Sequence, residues 1–381
     1  MRIMVTAGGT GGHIYPAVAI AEELLNREPE SQLLYVGAEW GMEKKIIEQR
    51  KWRFAATKVK PFTRGSWFKM LAALFYLPLS LWQARRLIKK FRPDIIIGTG
   101  GYASFPLVLM GARMGIRTFI HEQNAYPGMT NRKLAPHADG VFLTFKEAAA
   151  YLPPCNFKVT GLPVRKEFLY TPKTPSKMPF DLTAGRFTLL VFGGSRGAEK
   201  INSAVRAMLP QYSVIDLQLI WVTGEREYDV IKAELAQMTS SVTYNTDIRL
   251  FPFLNNMNEA FSAADLAVCR AGAGTISELQ VMGLPAILVP YPYAAAGHQE
   301  KNAQALEQQG GALLIPDQEL SAGRLYQAIE DLRNSPQRLQ KMRTSLQRYA
   351  RPFALRDIAD EIMNITPTRS EERRVGKECR S

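Results

Sequence analysis

The sequence predicts an α/β protein of two doubly wound domains facing a cleft, because one unusual pattern occurs in it twice. Near the start, Ile3-Met4-Val5-Thr6-Ala7 runs into Gly8-Gly9-Thr10-Gly11-Gly12-His13, then an amphipathic stretch from Ala17 to Leu25. About half a chain later, Thr188-Leu189-Leu190-Val191-Phe192 runs into Gly193-Gly194-Ser195-Arg196-Gly197, then Ile201 to Leu209. Each copy reads as a buried strand, a tight glycine turn and a helix. Glycines let backbone approach an anion, and the helix N-terminus presents unpaired N–H groups at the positive end of its dipole.

A second observation is that the repeat continues beyond the turns. Leu33-Leu34-Tyr35-Val36-Gly37 corresponds to Leu219-Ile220-Trp221-Val222-Thr223-Gly224, and Pro93 to Gly101 corresponds to Ala264 to Gly272. Thr118-Phe119-Ile120-His121 corresponds to Ala286-Ile287-Leu288-Val289-Pro290. Short apolar runs separated by helical patterns imply parallel strands buried on both faces, a Rossmann-like arrangement. Ligands of such sheets sit at the carboxyl ends of the strands. His13, Gly100-Gly101-Tyr102, His121-Glu122-Gln123-Asn124, Ser195, Ala271 to Glu278 and His298-Gln299 all fall at those ends.

Length is the third observation, since 381 residues exceed one ordinary domain and suit two. The boundary falls between Gly161 and Arg186, where Pro172, Pro175 and Pro179 interrupt a polar stretch. The expected division is 1–164, 165–345, a C-terminal helical segment over 346–366 and a tail over 367–381. That tail, highly charged from Arg369 and without apolar period, reads as disordered or foreign. Cys155, Cys269 and Cys379 show no metal-like spacing, and a strand begins at once, so a reduced cytosolic protein without a secretory signal is expected.

Charge is concentrated. The net charge is +13, and between Gln49 and Pro93 there are twelve basic residues and no acidic one. Embedded there, the apolar run from Met70 to Trp82 is shorter than the about 20 residues that span a bilayer. Trp67 and Trp82, with Arg85, Arg86, Lys89 and Lys90, instead suggest that residues around 64–92 lie on an anionic membrane surface. The alternative is a core helix with a solvated basic end. Nucleic acid is not expected as a partner, because aromatics among leucines suit lipid better than base stacking.

Taken together, the motifs resemble one family. Gly9-Thr10-Gly11-Gly12-His13 with Pro16, Gly100-Gly101-Tyr102, His121 to Asn124 and Gly193 to Ala198 are similar to the MurG-type N-acetylglucosaminyltransferases. So are Cys269 to Glu278, and Pro290-Tyr291-Pro292-Tyr293 through His298-Gln299-Glu300-Lys301-Asn302. Each glycine turn alone is weak evidence; the ordered set from about Met1 to Ile365 is specific.

The resemblance implies the GT-B architecture, with the last helix returning to the N-terminal domain. It also implies inverting transfer of GlcNAc from UDP-GlcNAc to the MurNAc C4 hydroxyl of undecaprenyl-pyrophosphoryl-MurNAc-pentapeptide (lipid I), giving lipid II. The expected place is peripheral, on the cytoplasmic face of the cell membrane, with room for contact with other cell-wall synthesis and division proteins. A GT-B enzyme acting on another membrane lipid, such as diacylglycerol, is the enzymatic rival. A dinucleotide-dependent oxidoreductase is disfavoured, because Ile14 stands where the third glycine of its fingerprint belongs. No cofactor is expected, and no Asp-x-Asp or His/Cys cluster at the strand ends calls for a metal.

The same resemblance distributes roles. Thr10, Gly11, Gly12 and the Gly100-Gly101 turn would receive the acceptor diphosphate. Tyr102, His121, Glu122 and Asn124 would line the acceptor and sugar cleft, with His13, Glu122 and Asn124 the catalytic candidates. His13 has the titration range of a base for the acceptor hydroxyl, or it caps its helix or binds phosphate. His121 and Glu122 equally suit a hydrogen-bonded structural pair. On the donor side, Ser195, Asn202 and Arg165 would serve the diphosphate, and Leu254 the uracil through its backbone. Ala273, Gly274, Thr275, Ile276 and Ser277 would meet the nucleotide, and Gln299 the GlcNAc hydroxyls. Glu278 would bind the ribose, although Thr275-x-x-Glu278 also fits a capping box.

Overall fold

The computed structural model describes residues 1–39, 41–60, 67–172, 178–194, 197–210, 217–241 and 247–365, with side chains described outside 67–74, 178, 238–241 and 365. The chain forms two units, Met1–Pro163 with Phe353–Ser381, and Val164–Pro352.

Unit 1 begins with β1 (Arg2–Thr6), α1 (Gly11–Arg27), β2 (Gln32–Ala38), α2 (Glu43–Glu48) and β3 (Arg53–Thr57). It continues through α3 (Trp67–Phe91), β4 (Ile95–Gly98), α4 (Ser104–Arg113), β5 (Arg117–Glu122), α5 (Met129–Leu134), β6 (Gly140–Leu143) and β7 (Phe157–Val159). The strands make one parallel sheet in the order β3-β2-β1-β4-β5-β6-β7. Alternate residues serve opposite faces. Ile3, Val5, Tyr35, Ile97 and Phe119 pack under α1, while Met4, Val36, Ile96 and Ile120 pack under α3 and α4. Both faces are covered, which is why the strands read as unbroken apolar runs.

Unit 2 contains α6 (Lys166–Tyr170), β8 (Thr188–Phe192), α7 (Glu199–Met208), β9 (Gln218–Val222), α8 (Glu225–Ser241), β10 (Asp247–Phe251) and α9 (Met257–Ala263). Then follow β11 (Leu266–Cys269), α10 (Ala273–Met282), β12 (Ala286–Leu288), α11 (His298–Gln308), β13 (Ala312–Leu314), α12 (Ala322–Arg333) and α13 (Pro336–Tyr349). Its parallel sheet runs β10-β9-β8-β11-β12-β13. The strands paired by the sequence repeat, β2 with β9, β4 with β11 and β5 with β12, hold equivalent places in the two sheets.

The segment expected as one helix over 346–366 is two. α13 stops at Tyr349, Ala350 turns to an extended conformation, and α14 (Ala354–Ile365) starts anew. Pro352 is the cause, since a proline disfavours helical conformation in the residue before it and has no N–H to give. α14 belongs to unit 1, where Ile358, Ala359 and Ile362 join the core beneath α1. Arg27 of α1 reaches Asp360 at 2.5 Å, and Lys158 of β7 pairs with Glu361. α1 also differs from expectation, starting at Gly11 rather than Ala17, so the glycines form its first turn.

Candidate active site

Each sheet reverses its winding between two neighbouring strands, β1 and β4 in unit 1 and β8 and β11 in unit 2. Loops leaving such strands diverge and open a crevice, which is where α/β sheets bind ligands.

In unit 1 the two turns at that crevice interlock. Gly101 has φ +78°, and a Cβ there would stand 1.9 Å from the Gly8 carbonyl oxygen. No other residue type fits. Thr10 is the N-cap of α1, in extended conformation, and its hydroxyl lies 3.2 Å from His13 Nδ1. Thr10 and Gly12 are exposed and Gly11 is half-buried, so the start of α1 meets solvent as an anion-binding turn should. The Thr99 hydroxyl donates to the His13 carbonyl at 2.7 Å and ties β4 to this turn. Gly100, at φ +97°, leaves room for the His13 ring: a Cβ there would lie 3.0 Å from its Cδ2 and 3.4 Å from its Nε2. Tyr102 is half-buried with its ring against Gly9. Burial, then the Glu43 charge, hold its hydroxyl above the usual phenol range and so protonated.

The His121-Glu122 motif at the end of β5 has the structural form of its two readings. His121 is fully buried. The Gln123 Nε2 faces the Thr99 carbonyl at 2.9 Å, the His121 carbonyl at 3.0 Å and His121 Nδ1 at 3.0 Å, so it is the donor. Nδ1 therefore accepts, and Nε2–H donates to the Gly161 carbonyl at 2.9 Å. Burial pushes the imidazole below its ordinary range and keeps it neutral. Glu122 was expected among the catalytic groups and lining the cleft, with His121 beside it; the geometry corrects both. Glu122 is 2% exposed. Its Oε1 accepts from the Asn124 N–H at 2.9 Å and Nδ2 at 3.2 Å, and its Oε2 from the Gly128 N–H at 3.0 Å and Asn131 Nδ2 at 2.8 Å. A carboxylate receiving four donors is a strut for the 124–131 loop. Asn124 remains half-buried at the rim.

In unit 2 the end of the second glycine turn instead packs against the segment that follows β9. A Cβ on Gly197, at φ +75°, would lie 2.5 Å from the Thr223 carbonyl oxygen. Ser195 lies outside the described residues. Asn202, expected at the diphosphate, is corrected to an internal brace. It is 1% exposed, its Nδ2 donates to the Thr223 carbonyl at 2.9 Å and Glu227 at 2.6 Å, and its Oδ1 accepts from Trp221 Nε1 at 3.0 Å. Leu254 has a buried side chain, which leaves only its backbone for a base.

The first turn of α10 carries the donor-side motif. Gly272 is its N-cap, and Ala273, Gly274 and Thr275 contribute the open N–H groups of the first turn. Ile276 and Ser277 were expected at the nucleotide, but their side chains are buried, and the Ile276 N–H is already bound to the Gly272 carbonyl at 3.0 Å. The capping-box alternative for Glu278 also fails: Thr275 sits three residues inside the helix, so Glu278 lies beyond reach of the cap. Glu278 Oε1 instead accepts from Arg165 Nε at 2.8 Å. Burial raises this carboxyl above its usual range, against the opposing pull of the Arg165 guanidinium. Arg165, half-exposed, rests over the Phe168 ring. Gln299, near the start of α11, accepts the Tyr291 N–H at 2.9 Å through Oε1.

Sequence reasoning missed several groups that set these positions. Arg270, at the end of β11, donates to the carbonyls of Val289 and Pro290 at 3.2 and 3.1 Å and to Asp317 at 2.5 Å. Asp317 also holds Lys200 at 3.4 Å. Arg270 stood inside a quoted motif, but nothing local marks Asp317.

On α3, Ser80, Ala84, Ile88 and Phe91 are buried, while Phe75 (82% exposed), Leu79 and Trp82 (57% exposed) share the opposite face. Arg86 lies over the Trp82 ring and Lys60 over that of Tyr76. The core-helix reading thus holds for one face of α3, while the other face exposes the apolar side chains on which the membrane reading rests. Residues 64–66 and the side chains up to Leu74 lie outside the described ones. Among the described residues no helix is long and apolar enough to cross a membrane.

Comparison with known proteins agrees with this arrangement. Residues 3–143 match the glycosyltransferase family 28 N-terminal domain and residues 188–362 its C-terminal domain. The chain belongs to glycosyltransferase family 28. Its relatives include proteins of Desulforamulus reducens (44% identical, over 96% of this chain and 99% of that one) and Halothermothrix orenii (40%, 93% and 96%). Both are named UDP-N-acetylglucosamine--N-acetylmuramyl-(pentapeptide) pyrophosphoryl-undecaprenol N-acetylglucosamine transferase. Among solved structures, Acinetobacter baumannii MurG is similar at TM-score 0.79 and 28% identity, over 95% of this chain and 98% of that one. A UDP-GlcNAc 2-epimerase from Neisseria meningitidis, at TM-score 0.63 and 12% identity over 95% and 99% of the two chains, shares the fold alone. This glycosyltransferase therefore has the GT-B class of two Rossmann-like units that its sequence resemblance implied.

Proposed function

We propose that this chain moves GlcNAc from UDP-GlcNAc to the C4 hydroxyl of MurNAc on lipid I, with inversion at the anomeric carbon, giving lipid II. The observation that carries this reading is 44% identity, over 96% of this chain, to a relative named for that transfer. In a single displacement, the acceptor O4–C1 bond forms as the bond from C1 to the UDP oxygen breaks. The hydroxyl proton passes to a base, and the negative charge passes to UDP.

His13 is the base in this account. Its ring is half-exposed, with the Cδ2–Nε2 edge beside Gly100, and in this reading Nε2 meets the hydroxyl. Thr10, Gly11 and Gly12 take the acceptor diphosphate on the first turn of α1. On the donor side, the N–H groups of Ala273, Gly274 and Thr275 and the α10 dipole stabilise the departing diphosphate. Glu278, paired with Arg165, takes the ribose hydroxyls, Leu254 meets uracil through its backbone, and Gln299 offers its amide to GlcNAc. Glu122 and Asn202 act indirectly, by holding Asn124 and the second glycine turn. The outer face of α3 rests on an anionic membrane at its cytoplasmic side, where basic residues flank exposed Phe75, Leu79 and Trp82.

Transfer of labelled GlcNAc from UDP-GlcNAc to a lipid I analogue tests the reading. Labelled product sensitive to loss of His13 is expected. Transfer to diacylglycerol and none to lipid I would overturn the acceptor.

A further inference from the structure

Glu43 is a buried carboxylate that the proposed reaction does not use. It opens α2, is 0% exposed, and its Oε1 accepts the Ala38 N–H at 2.7 Å at the end of β2. Its Oε2 accepts no hydrogen bond from the described residues. An acid so placed is expensive to bury, and a core leucine would fill the volume more cheaply.

Its surroundings are shaped to admit it. A Cβ on Gly37 would lie 2.6 Å from Glu43 Cγ, and one on Gly41 would lie 2.1 Å from Oε2. On Gly8, a Cβ would lie 3.2 Å from Oε1 and 2.7 Å from the Cβ of Ala103. Gly8 is therefore wedged between the Glu43 carboxylate and the Gly101–Ala103 turn, whose Gly101 already touches the Gly8 carbonyl. Tyr102, whose ring covers Gly9, feels the Glu43 charge. Glu43 thus sits beneath Gly8, which itself packs against the second turn of the unit 1 crevice.

We propose that Glu43 is a positioning residue for acceptor binding: seated under Gly8 and bonded to the Ala38 N–H, it fixes where the first glycine turn and the Gly101–Ala103 turn stand. The inference rests on the reading that this crevice takes the acceptor diphosphate. Two properties of the side chain are involved, its volume beneath Gly8 and its acceptor for Ala38. Glu43→Gln keeps both, Glu43→Met keeps the volume, and Glu43→Ala keeps neither.

The test is steady-state kinetics of the three variants on a lipid I analogue, with UDP-GlcNAc affinity and inorganic pyrophosphate affinity measured by calorimetry. For kcat/KM toward the acceptor, Glu43→Gln should stay within about threefold of wild type and Glu43→Met should lose about tenfold. Glu43→Ala should lose about 100-fold, as for a turn displaced by about an ångström. Pyrophosphate affinity should follow the same order, and donor affinity should not change. A series that lowers only the melting temperature, or lowers donor and acceptor terms together, overturns the proposal. So does a Met variant as active as the Gln variant, which also decides the matter if the Ala variant does not fold. A wild-type protein inert toward lipid I would instead overturn the acceptor reading, while the pyrophosphate series would still judge the hold of Glu43 on the turn.

Discussion

Two histidines and two carboxylates in this chain stand in equally suggestive motifs and have opposite surroundings. His13 is half-exposed at the start of α1, beside the Thr10 hydroxyl, whereas His121 is sealed in β5 with both nitrogens bound. Glu122 receives four donors and is closed, whereas Glu278 has one guanidinium partner and a side chain 13% exposed. The difference teaches that motif membership identifies a region, and burial tells which members a ligand can reach.

The histidine contrast is broken most directly by His13→Ala. Loss of a general base should lower kcat by about 10²- to 10⁴-fold. UDP-GlcNAc affinity should stay near wild type in calorimetry, because the donor groups belong to unit 2. Wild-type turnover would remove His13 from the base role and leave phosphate binding or helix capping as its function.

The carboxylate contrast predicts a crossed pair of results. Glu278→Ala should weaken UDP-GlcNAc binding by about 10- to 100-fold, the loss of one or two charge-assisted hydrogen bonds. Its melting temperature should hardly change, since the ion pair with half-exposed Arg165 contributes little. Glu122→Ala should do the reverse. Stranding several buried donors costs about 1–3 kcal/mol for each left unpaired, so stability should fall by several kcal/mol while the folded fraction binds donor normally. Calorimetric binding and thermal melts of both variants decide it; parallel behaviour would mean that burial does not sort the two roles.

How far these roles were legible in the sequence follows from the same residues. The fold was readable because strands covered on both faces must be continuous apolar runs, and because Gly8, Gly101 and Gly197 occupy places where a Cβ has no room. Which member of a motif is a strut was not. Asn202 is satisfied by Trp221 and Glu227, and Arg270 by Asp317, partners that only folding brings near. Gly37, inside the run that forms β2, and Gly41 make the space that Glu43 fills, and nothing local marks that role. The helix expected to run through 346–366 missed the effect of Pro352.

The two faces of α3 extend the contrast between closed and open side chains. Replacing Phe75, Leu79 and Trp82 with Ser should release the protein from anionic vesicles, with activity on a soluble short-chain acceptor retained. Higher salt should act in the same direction, since each Lys or Arg near the surface contributes about 1 kcal/mol that ions screen. On the inner face, Ile88→Ser should lower stability instead, because Ile88 is core. Vesicle binding undiminished in a folded triple variant would exclude this face as the docking surface.

The smallest effect concerns His121 and pH. Burial holds its pKa below the ordinary 6.5, against the opposing hydrogen bond to the Gly161 carbonyl. Below about pH 6.5 the unfolded chain binds a proton that the folded chain refuses, so the stability His121 confers is complete above that pH. It is lost as the pH falls toward the lowered folded value. One proton sets the limit, about 1.4 kcal/mol per pH unit. Glu278 tilts stability the other way above the unfolded carboxyl pKa, because its folded pKa is raised. Comparing wild type with His121→Gln between pH 7.5 and 5.5 cancels that contribution, since Glu278 is common to both. Denaturant melts should show wild type losing stability on acidification more steeply than the Gln variant. Equal slopes would mean that His121 accepts a proton in the folded state, and that the sealed network at the end of β5 is more open than its geometry indicates.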